Sequence, residues 1–230
     1  MKRLSNSLIS LSLVLLTAAF LVIQGCKSDE VVTGGSDNTE ISMMAPSGIT
    51  DASPINTLVL DSVKVLLKNI KLNVSGGSTD SVNFKTGPFV VKLNLNTNVT
   101  LFTTAMIPEG TYDKVKFEIH KLESGEVGID TAFSAGGGRY SVVVYGKFNL
   151  IPFIYRSTKS AHQILAFNPG ITVSSSVKTN ITLKVQPYTW FWTGSDYLDP
   201  LNASNENDID NKIKASFTAF RDNNRDGIPD

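Results

Sequence analysis

The chain has 230 residues with 21 basic and 21 acidic side chains, so its formal net charge is zero. A balanced chain lacks the broad positive field that nucleic-acid binders need, which excludes nucleic acid as a partner. The length suits one large domain or two small ones, and a single cysteine excludes an internal disulfide.

The first 26 residues have the pattern of a secretory signal. Lys2 and Arg3 give a positive start, an apolar run follows from residue 8 to residue 23, and Gly25 precedes Cys26. Spanning a bilayer takes about 20 apolar residues, so this shorter run does not predict a membrane-spanning helix. The segment resembles the bacterial lipoprotein signal, with Ile-Gln-Gly-Cys at residues 23–26 as the lipobox.

That resemblance implies that residues 1–25 are removed and that acylated Cys26 anchors the mature chain in a lipid bilayer. Cleavage removes two basic residues and no acidic one, which leaves a formal charge of −2. Acylation also consumes the only cysteine, which excludes a thiol nucleophile and a cysteine-based metal site. We expect a location in the cell envelope, lipid-anchored to the outer membrane on its periplasmic or cell-surface face. The Lys-Ser-Asp-Glu at residues 27–30 resembles a short signal for the outer face, and ordinary linker charge explains it equally well.

Residues 26–56 are predicted to form a flexible, lipidated tether. They are rich in Ser, Gly, Thr and Asp and poor in large apolar side chains. Such a segment buries too little apolar surface to offset its conformational entropy. We therefore expect a domain that begins at Thr57 to fold without the preceding residues.

Residues 57–198 are predicted to form an all-β domain. Short runs alternate between apolar and polar residues, with turn residues between them and no helical period, which favours an antiparallel sandwich or barrel. The alternation changes phase between Val65 and Ile70, which predicts a β-bulge near Lys68 and Asn69. A hairpin is predicted at Asn149 and Leu150.

Residues 199–230 change character and are predicted to form a helix followed by an acidic tail. Four apolar residues recur at the spacing i, i+4, i+8 and i+11, namely Ile209, Ile213, Phe217 and Phe220. This pattern predicts one α-helix of about 16 residues, packed on the sandwich by that face.

Several motifs of this domain are similar to a family of bacterial secreted and lipoprotein domains that is catalogued as a domain of unknown function. They are Ile-Pro-Glu-Gly-Thr-Tyr at residues 107–112 before Lys-Val-Lys-Phe at 114–117, Val-Val-Lys-Leu at 90–93, Tyr-Gly-Lys-Phe at 145–148 with Ile-Pro-Phe at 151–153, and Trp192 with Leu-Asp-Pro at 198–200. Relatives tend to have Gly in the hairpin where this chain has Leu150. The resemblance implies an immunoglobulin-like, Greek-key β-sandwich and no known chemistry.

The last nine residues predict a calcium site. Asp222, Asn224, Asp226 and Asp230 stand at positions 1, 3, 5 and 9, with Gly227 at position 6 and the Ile228 carbonyl at position 7. This is similar to the first part of an EF-hand loop, and the ending resembles a thrombospondin type 3 calcium repeat. A lone loop without the glutamate of position 12 should bind Ca²⁺ weakly, at about 10⁻⁴–10⁻³ M. The alternative is a solvated, frayed tail.

An aromatic cluster is the candidate ligand-binding surface. Trp190, Trp192 and Tyr197 would stack on sugar rings or anchor a protein if they are exposed. The favoured alternative is that the two tryptophans fill the joint between the sandwich and the C-terminal helix.

No motif predicts catalysis. The two histidines, His120 and His162, have no Cys, Asp or Glu nearby at the spacing of metal ligands, and they are interpreted as structural. The sequence contains no Gly-x-Ser-x-Gly elbow and no convincing pair of catalytic carboxylates. The sequence therefore predicts a non-enzymatic envelope lipoprotein that binds a protein or a polysaccharide of the envelope. The alternative is an envelope hydrolase with an unrecognised site.

Overall fold

A computed structural model describes residues 37–48, 54–76 and 80–230 of the chain. The described residues form ten strands, which are β1 Thr39–Met44, β2 Leu58–Val74, β3 Ser81–Lys92, β4 Thr100–Ala105, β5 Gly110–Ile119, β6 Val142–Phe148, β7 Ile151–Ser157, β8 Ala161–Val173, β9 Thr179–Val185 and β10 Phe217–Arg221. One α-helix, α1, covers Glu206–Ala215, and 3₁₀ turns cover Thr131–Gly137, Pro187–Phe191 and Ala203–Asn205. Within these residues, no helix is long and apolar enough to cross a membrane.

The strands form two sheets. The small sheet has the order β10-β9-β1-β4, and the large sheet has the order β7-β6-β2-β5-β8, with β3 paired to β2. All pairs in these sheets are antiparallel except β1 with β9, which is parallel. The prediction of a mainly antiparallel β-sandwich with one C-terminal helix is confirmed.

The main core lies between the two sheets. Alternate residues of the small sheet, such as Ile41 and Leu183, are fully buried in the same cluster as Val65 and Val115 of the large sheet. This burial follows from the period-two alternation, because successive side chains of a strand point to opposite faces. The predicted bulge is also present, since Asn69 has φ 57° and the β2–β3 register shifts beside it.

The predicted tether boundary is wrong for residues 39–44. These residues form β1, which lies between β9 and β4 in the small sheet. Ile41 is fully buried, and so is the polar Ser42. The polar residues that made this segment look like a linker are covered on the outer face of the small sheet, and the folded domain begins before Thr57.

The predicted 16-residue helix is also wrong in its second half. The helix α1 ends at Ala215, and Phe217 and Phe220 lie on β10 instead. The antiparallel ladder with β9 supplies hydrogen bonds to this segment and outweighs its helical spacing. Ile209 and Ile213 do form the buried face of α1.

Candidate functional site

The connection between β5 and β6, residues 120–141, packs on the outer face of the large sheet. It builds a second small core there, composed of Leu66, Leu122, Ala132, Phe133 and Val143. Phe133 is fully buried, and the His120 amide donates to the Leu66 carbonyl at 2.8 Å. The connection is therefore a packed layer over β2.

Two lysines of β2 bind carboxylates of this connection. Lys64 Nζ lies 2.6 Å from Asp130 Oδ2. Lys68 Nζ lies 3.2 Å from Glu126 Oε1 and 3.5 Å from Glu123 Oε2. Because both lysines are on the outer face beside Leu66, the ion pairs flank the small core and fix the connection in register with β2.

His120 is the centre of the charged group at this place. Its side chain is 1% exposed. Nδ1 lies 3.2 Å from Glu118 Oε1, and Nε2 lies 2.9 Å from each carboxylate oxygen of Glu126. The imidazole is thus held between two carboxylates, with Glu123 at the solvent side of the group.

The Glu126 carboxylate holds the turn as well as the histidine. It accepts a hydrogen bond from the Glu123 amide at 2.9 Å. Burial by itself raises the pKa of Glu126, whereas hydrogen bonds from the Glu123 amide and from His120 lower it. Lys68 adds to the lowering, and the net pKa lies below its ordinary value. A carboxyl with a lowered pKa stabilises the fold above its unfolded pKa, and this contribution is lost as the pH falls through the folded pKa.

Among the described residues, one group of three such side chains could hold a metal ion. It consists of His120, Glu123 and Glu126, whose ligand atoms all lie within 4.8 Å of one another. Sequence reasoning interpreted His120 as structural because it recognised no Cys, Asp or Glu at ligand spacing from the histidine. The turn after β5 brings the three residues together. The signal in the sequence was the pair of glutamates three and six residues after His120. His162 lies across the β5–β8 ladder from Glu118 and is exposed.

The C-terminal tail is packed on the outer face of the small sheet. Asp222 is buried, and its carboxylate accepts hydrogen bonds from Thr182 Oγ1 at 2.7 Å and from the Asp226 and Gly227 amides at 3.0 and 3.2 Å. The guanidinium of Arg225 pairs with Glu40 of β1. The tail is therefore ordered and covers part of the outer face of the small sheet.

The other predicted calcium ligands are spread along this tail. Asn224 donates to Asp226 Oδ2 at 2.9 Å, and the Ile228 amide donates to Asp226 Oδ1 at 2.8 Å. Asp230 Oδ2 instead accepts from the Asn223 amide at 2.8 Å. Gly227 has a positive φ of 81°, and the carboxylates of the loop accept hydrogen bonds from the loop's own amides.

The three aromatic residues of the predicted surface differ in burial. Trp190 is 0% exposed, and its Nε1 donates to Ser216 Oγ at 2.7 Å at the end of α1. The prediction of ligand stacking is wrong for Trp190, because its ring fills the joint between sandwich and helix. Trp192 and Tyr197 are half-buried and form an edge-to-face pair with centroids 5.1 Å apart.

The Trp192–Tyr197 pair lies at the end of the domain opposite to the start of β1. Because β1 and β9 run parallel, the segment after β9 lies at the far end from Asn38. We call this the distal end. Asn56 joins its loops, since its side chain binds Asp196 Oδ2 at 2.7 Å and accepts from Asn149 Nδ2 at 2.7 Å.

Aliphatic side chains are exposed at the distal end. Ile55 is 92% exposed and Leu150 is 84% exposed, and Ile151 beside it is also exposed. The hairpin predicted at Asn149 and Leu150 is confirmed, and both residues have positive φ, 49° and 69°. This turn favours Asn and Gly, so an exposed Leu there is unfavourable in conformation and in solvation.

The lipidation residue predicted from sequence, Cys26, lies outside the described residues. No protein-family model and no curated protein matches the chain. Among solved structures, the chain is similar to MbnP from Methylosinus trichosporium, with 9% identity and a TM-score of 0.38 over 69% of this chain and 78% of that chain. A likeness of this degree carries no argument about function.

Proposed function

We propose that this protein is a non-catalytic, lipid-anchored module of the bacterial cell envelope that binds an envelope protein through its distal end. The exposed aliphatic residues at that end are the observation that carries the proposal. They are Ile55, Leu150 and Ile151, beside the Trp192–Tyr197 pair.

Asn38 and the distal end are at opposite ends of the domain. Asn38 enters the sandwich beside Ile107, whose backbone carbonyl and amide both bind the Asn38 side chain at 2.9 Å. Eleven residues lie between Cys26 and Asn38, and a chain of that length spans at most about 40 Å. The chain from the proposed anchor therefore enters the domain at the Asn38 end, and the distal end is free of that connection.

The chemistry of the distal end favours a protein partner over a polysaccharide. Sugar rings stack on exposed aromatic faces, but Trp190 is buried, and Trp192 and Tyr197 are half-buried and packed against each other. Exposed aliphatic side chains gain free energy when they are covered by a complementary apolar surface. Leu150 supports this interpretation, because a strained backbone at an exposed site is commonly retained for function.

The anchor is tested with the variant Cys26→Ser. A labelled fatty acid should enter the wild-type protein and not the variant, which should accumulate as an unprocessed or mislocalised precursor. Equal labelling of the two proteins would show that Cys26 is not acylated.

The distal surface is tested with a photo-crosslinking amino acid placed in living cells at Leu150 or at Val177. Val177 is the matched control, since it is an exposed aliphatic residue in the turn beside Asn38, at the other end. We expect a discrete crosslinked envelope protein from position 150 and none from position 177. The same product from both positions, or none from position 150, would contradict a distal binding surface.

We also propose that the tail binds Ca²⁺ weakly through Asp222, Asn224, Asp226, Asp230 and the Ile228 carbonyl. At a Ca²⁺ concentration ten times Kd, the free energy of unfolding should rise by about 1.4 kcal/mol, which raises Tm by a few degrees. Asp226→Ala should abolish this gain and leave the fold intact, because Asp226 is exposed. A wild-type protein with neither heat nor stabilisation at millimolar Ca²⁺ would show that the tail closes by hydrogen bonds alone.

A further inference from the structure

We infer that His120, Glu123 and Glu126 form a binding site for a Zn²⁺-like divalent ion on the outer face of the large sheet. The site would join the end of β5 to the turn that follows it. It is separate from the distal end and from the C-terminal tail.

The position of the imidazole between two carboxylates requires a cation, either a proton or a metal ion, in addition to its one N–H. A neutral imidazole carries one N–H, which it donates either to Glu118 or to Glu126. If Nδ1 donates to Glu118, the lone pair of Nε2 faces two carboxylate oxygens at 2.9 Å. Either a second proton or a metal ion must lie between these groups to remove the repulsion.

The residues around the histidine favour the metal ion. A metal-binding histidine almost always donates its other N–H to a carboxylate or a carbonyl, and Glu118 has this place at Nδ1. Three glutamates and Lys68 lie around the imidazole, so the group carries a net charge of −2 when the imidazole is neutral. A divalent cation offsets this charge, whereas one additional proton offsets half of it.

For His120 and Glu126 the distances require only a small adjustment, whereas the whole group spans up to 4.8 Å, so the exposed Glu123 side chain would move closer. Ligand atoms about 2.0–2.1 Å from a tetrahedral Zn²⁺ lie about 3.3 Å apart. His120 Nε2 and the Glu126 oxygens are 2.9 Å apart, so the pair would open by about 0.4 Å to fit this spacing. Glu123 is 65% exposed and provides both the third ligand and the route of entry.

The ligand types select the class of ion. One imidazole nitrogen with two carboxylates suits Zn²⁺ and related first-row ions, whereas Ca²⁺ takes six to eight oxygen ligands. Three protein ligands leave the fourth position to water. Lys68 contacts Glu126 Oε1 and Glu123 Oε2 from β2 and would stay as an outer partner that orients both carboxylates.

The test is calorimetric titration of the chelator-treated full-length protein with ZnCl₂ at pH 7.5, with the Co²⁺ absorption spectrum as a second measurement. We expect one ion per chain and the intense visible bands of four-coordinate Co²⁺. Glu123→Gln should weaken Zn²⁺ binding by about tenfold or more, and His120→Gln should abolish it. Glu123 is exposed, so its variant should fold even if the change at buried His120 prevents folding.

Two matched variants complete the experiment. His162→Gln removes the other, exposed histidine on the same sheet face, and Asp226→Asn removes a carboxylate of the tail. Both should bind Zn²⁺ like the wild type. No heat from the wild type would show that no Zn²⁺ binds to this group. That result, or undiminished binding by Glu123→Gln, or loss of binding in either control, would overturn the site.

Discussion

A chain that begins at Thr57 is expected to lose cooperative folding, whereas one that begins at Gly35 should unfold in a single transition. The shorter chain lacks β1, which pairs with both β9 and β4. Without it the small sheet is split, and β4 has lost its only paired strand of that sheet. Far-UV circular dichroism and urea titration of the two chains would measure the difference.

A point variant separates the loss of β1 packing from the loss of chain length. Ile41 is fully buried at the middle of β1, so Ile41→Asp places a carboxylate in the main core. We expect this full-length variant to be as poorly folded as the shorter chain. A chain from Thr57 with native-like dichroism and a cooperative melt would contradict the role given to β1.

Trp190→Ala is expected to lower the free energy of unfolding by about 3–5 kcal/mol, the usual cost of removing a large aromatic side chain from a core. Trp190 is fully buried in the main core, and its bond to Ser216 joins the segment after β9 to the end of α1. For a domain of this size the decrease in Tm should be about 6–20 °C. Thermal and urea denaturation would measure both quantities.

Trp192→Ala is the matched control for that experiment. Trp192 is half-buried and mainly contacts Tyr197, so its removal should cost about 1 kcal/mol. If Trp190→Ala were as stable as the wild type, Trp190 would not be a core residue. Equal losses from the two variants would contradict the difference in burial.

The strands of the large sheet could be predicted because their pattern is local. The alternation in β2 gave both the strand and its bulge at Asn69, since each residue reports which face it occupies. β1 could not be found in this way, because Glu40 and Ser42 look solvated in sequence. They are buried by residues from the other end of the chain, Arg225 against Glu40 and Asn180 against Ser42.

The sites show the same division between local and distant information. The tail motif was visible because its residues are consecutive, and its packing on β9 through Thr182 was not. His120 looked isolated because Glu126, which contacts its Nε2, lies in an irregular turn that has no sequence period. Phe217 has helical spacing in the sequence, but in the structure it lies on β10, which pairs with the edge of β9.

The position of β1 also determines how the domain bears mechanical force. If the proposed partner held the distal end and the proposed lipid anchor held Cys26, tension would enter the sandwich at Thr39 and act along the strand. The hydrogen bonds of β1 to β9 and to β4 are perpendicular to this pull and are loaded together in shear, so they cannot open one after another. Forced unfolding is governed by the unfolding rate rather than by equilibrium stability. A first strand loaded in this way would act as a mechanical clamp, because its two ladders would have to break together.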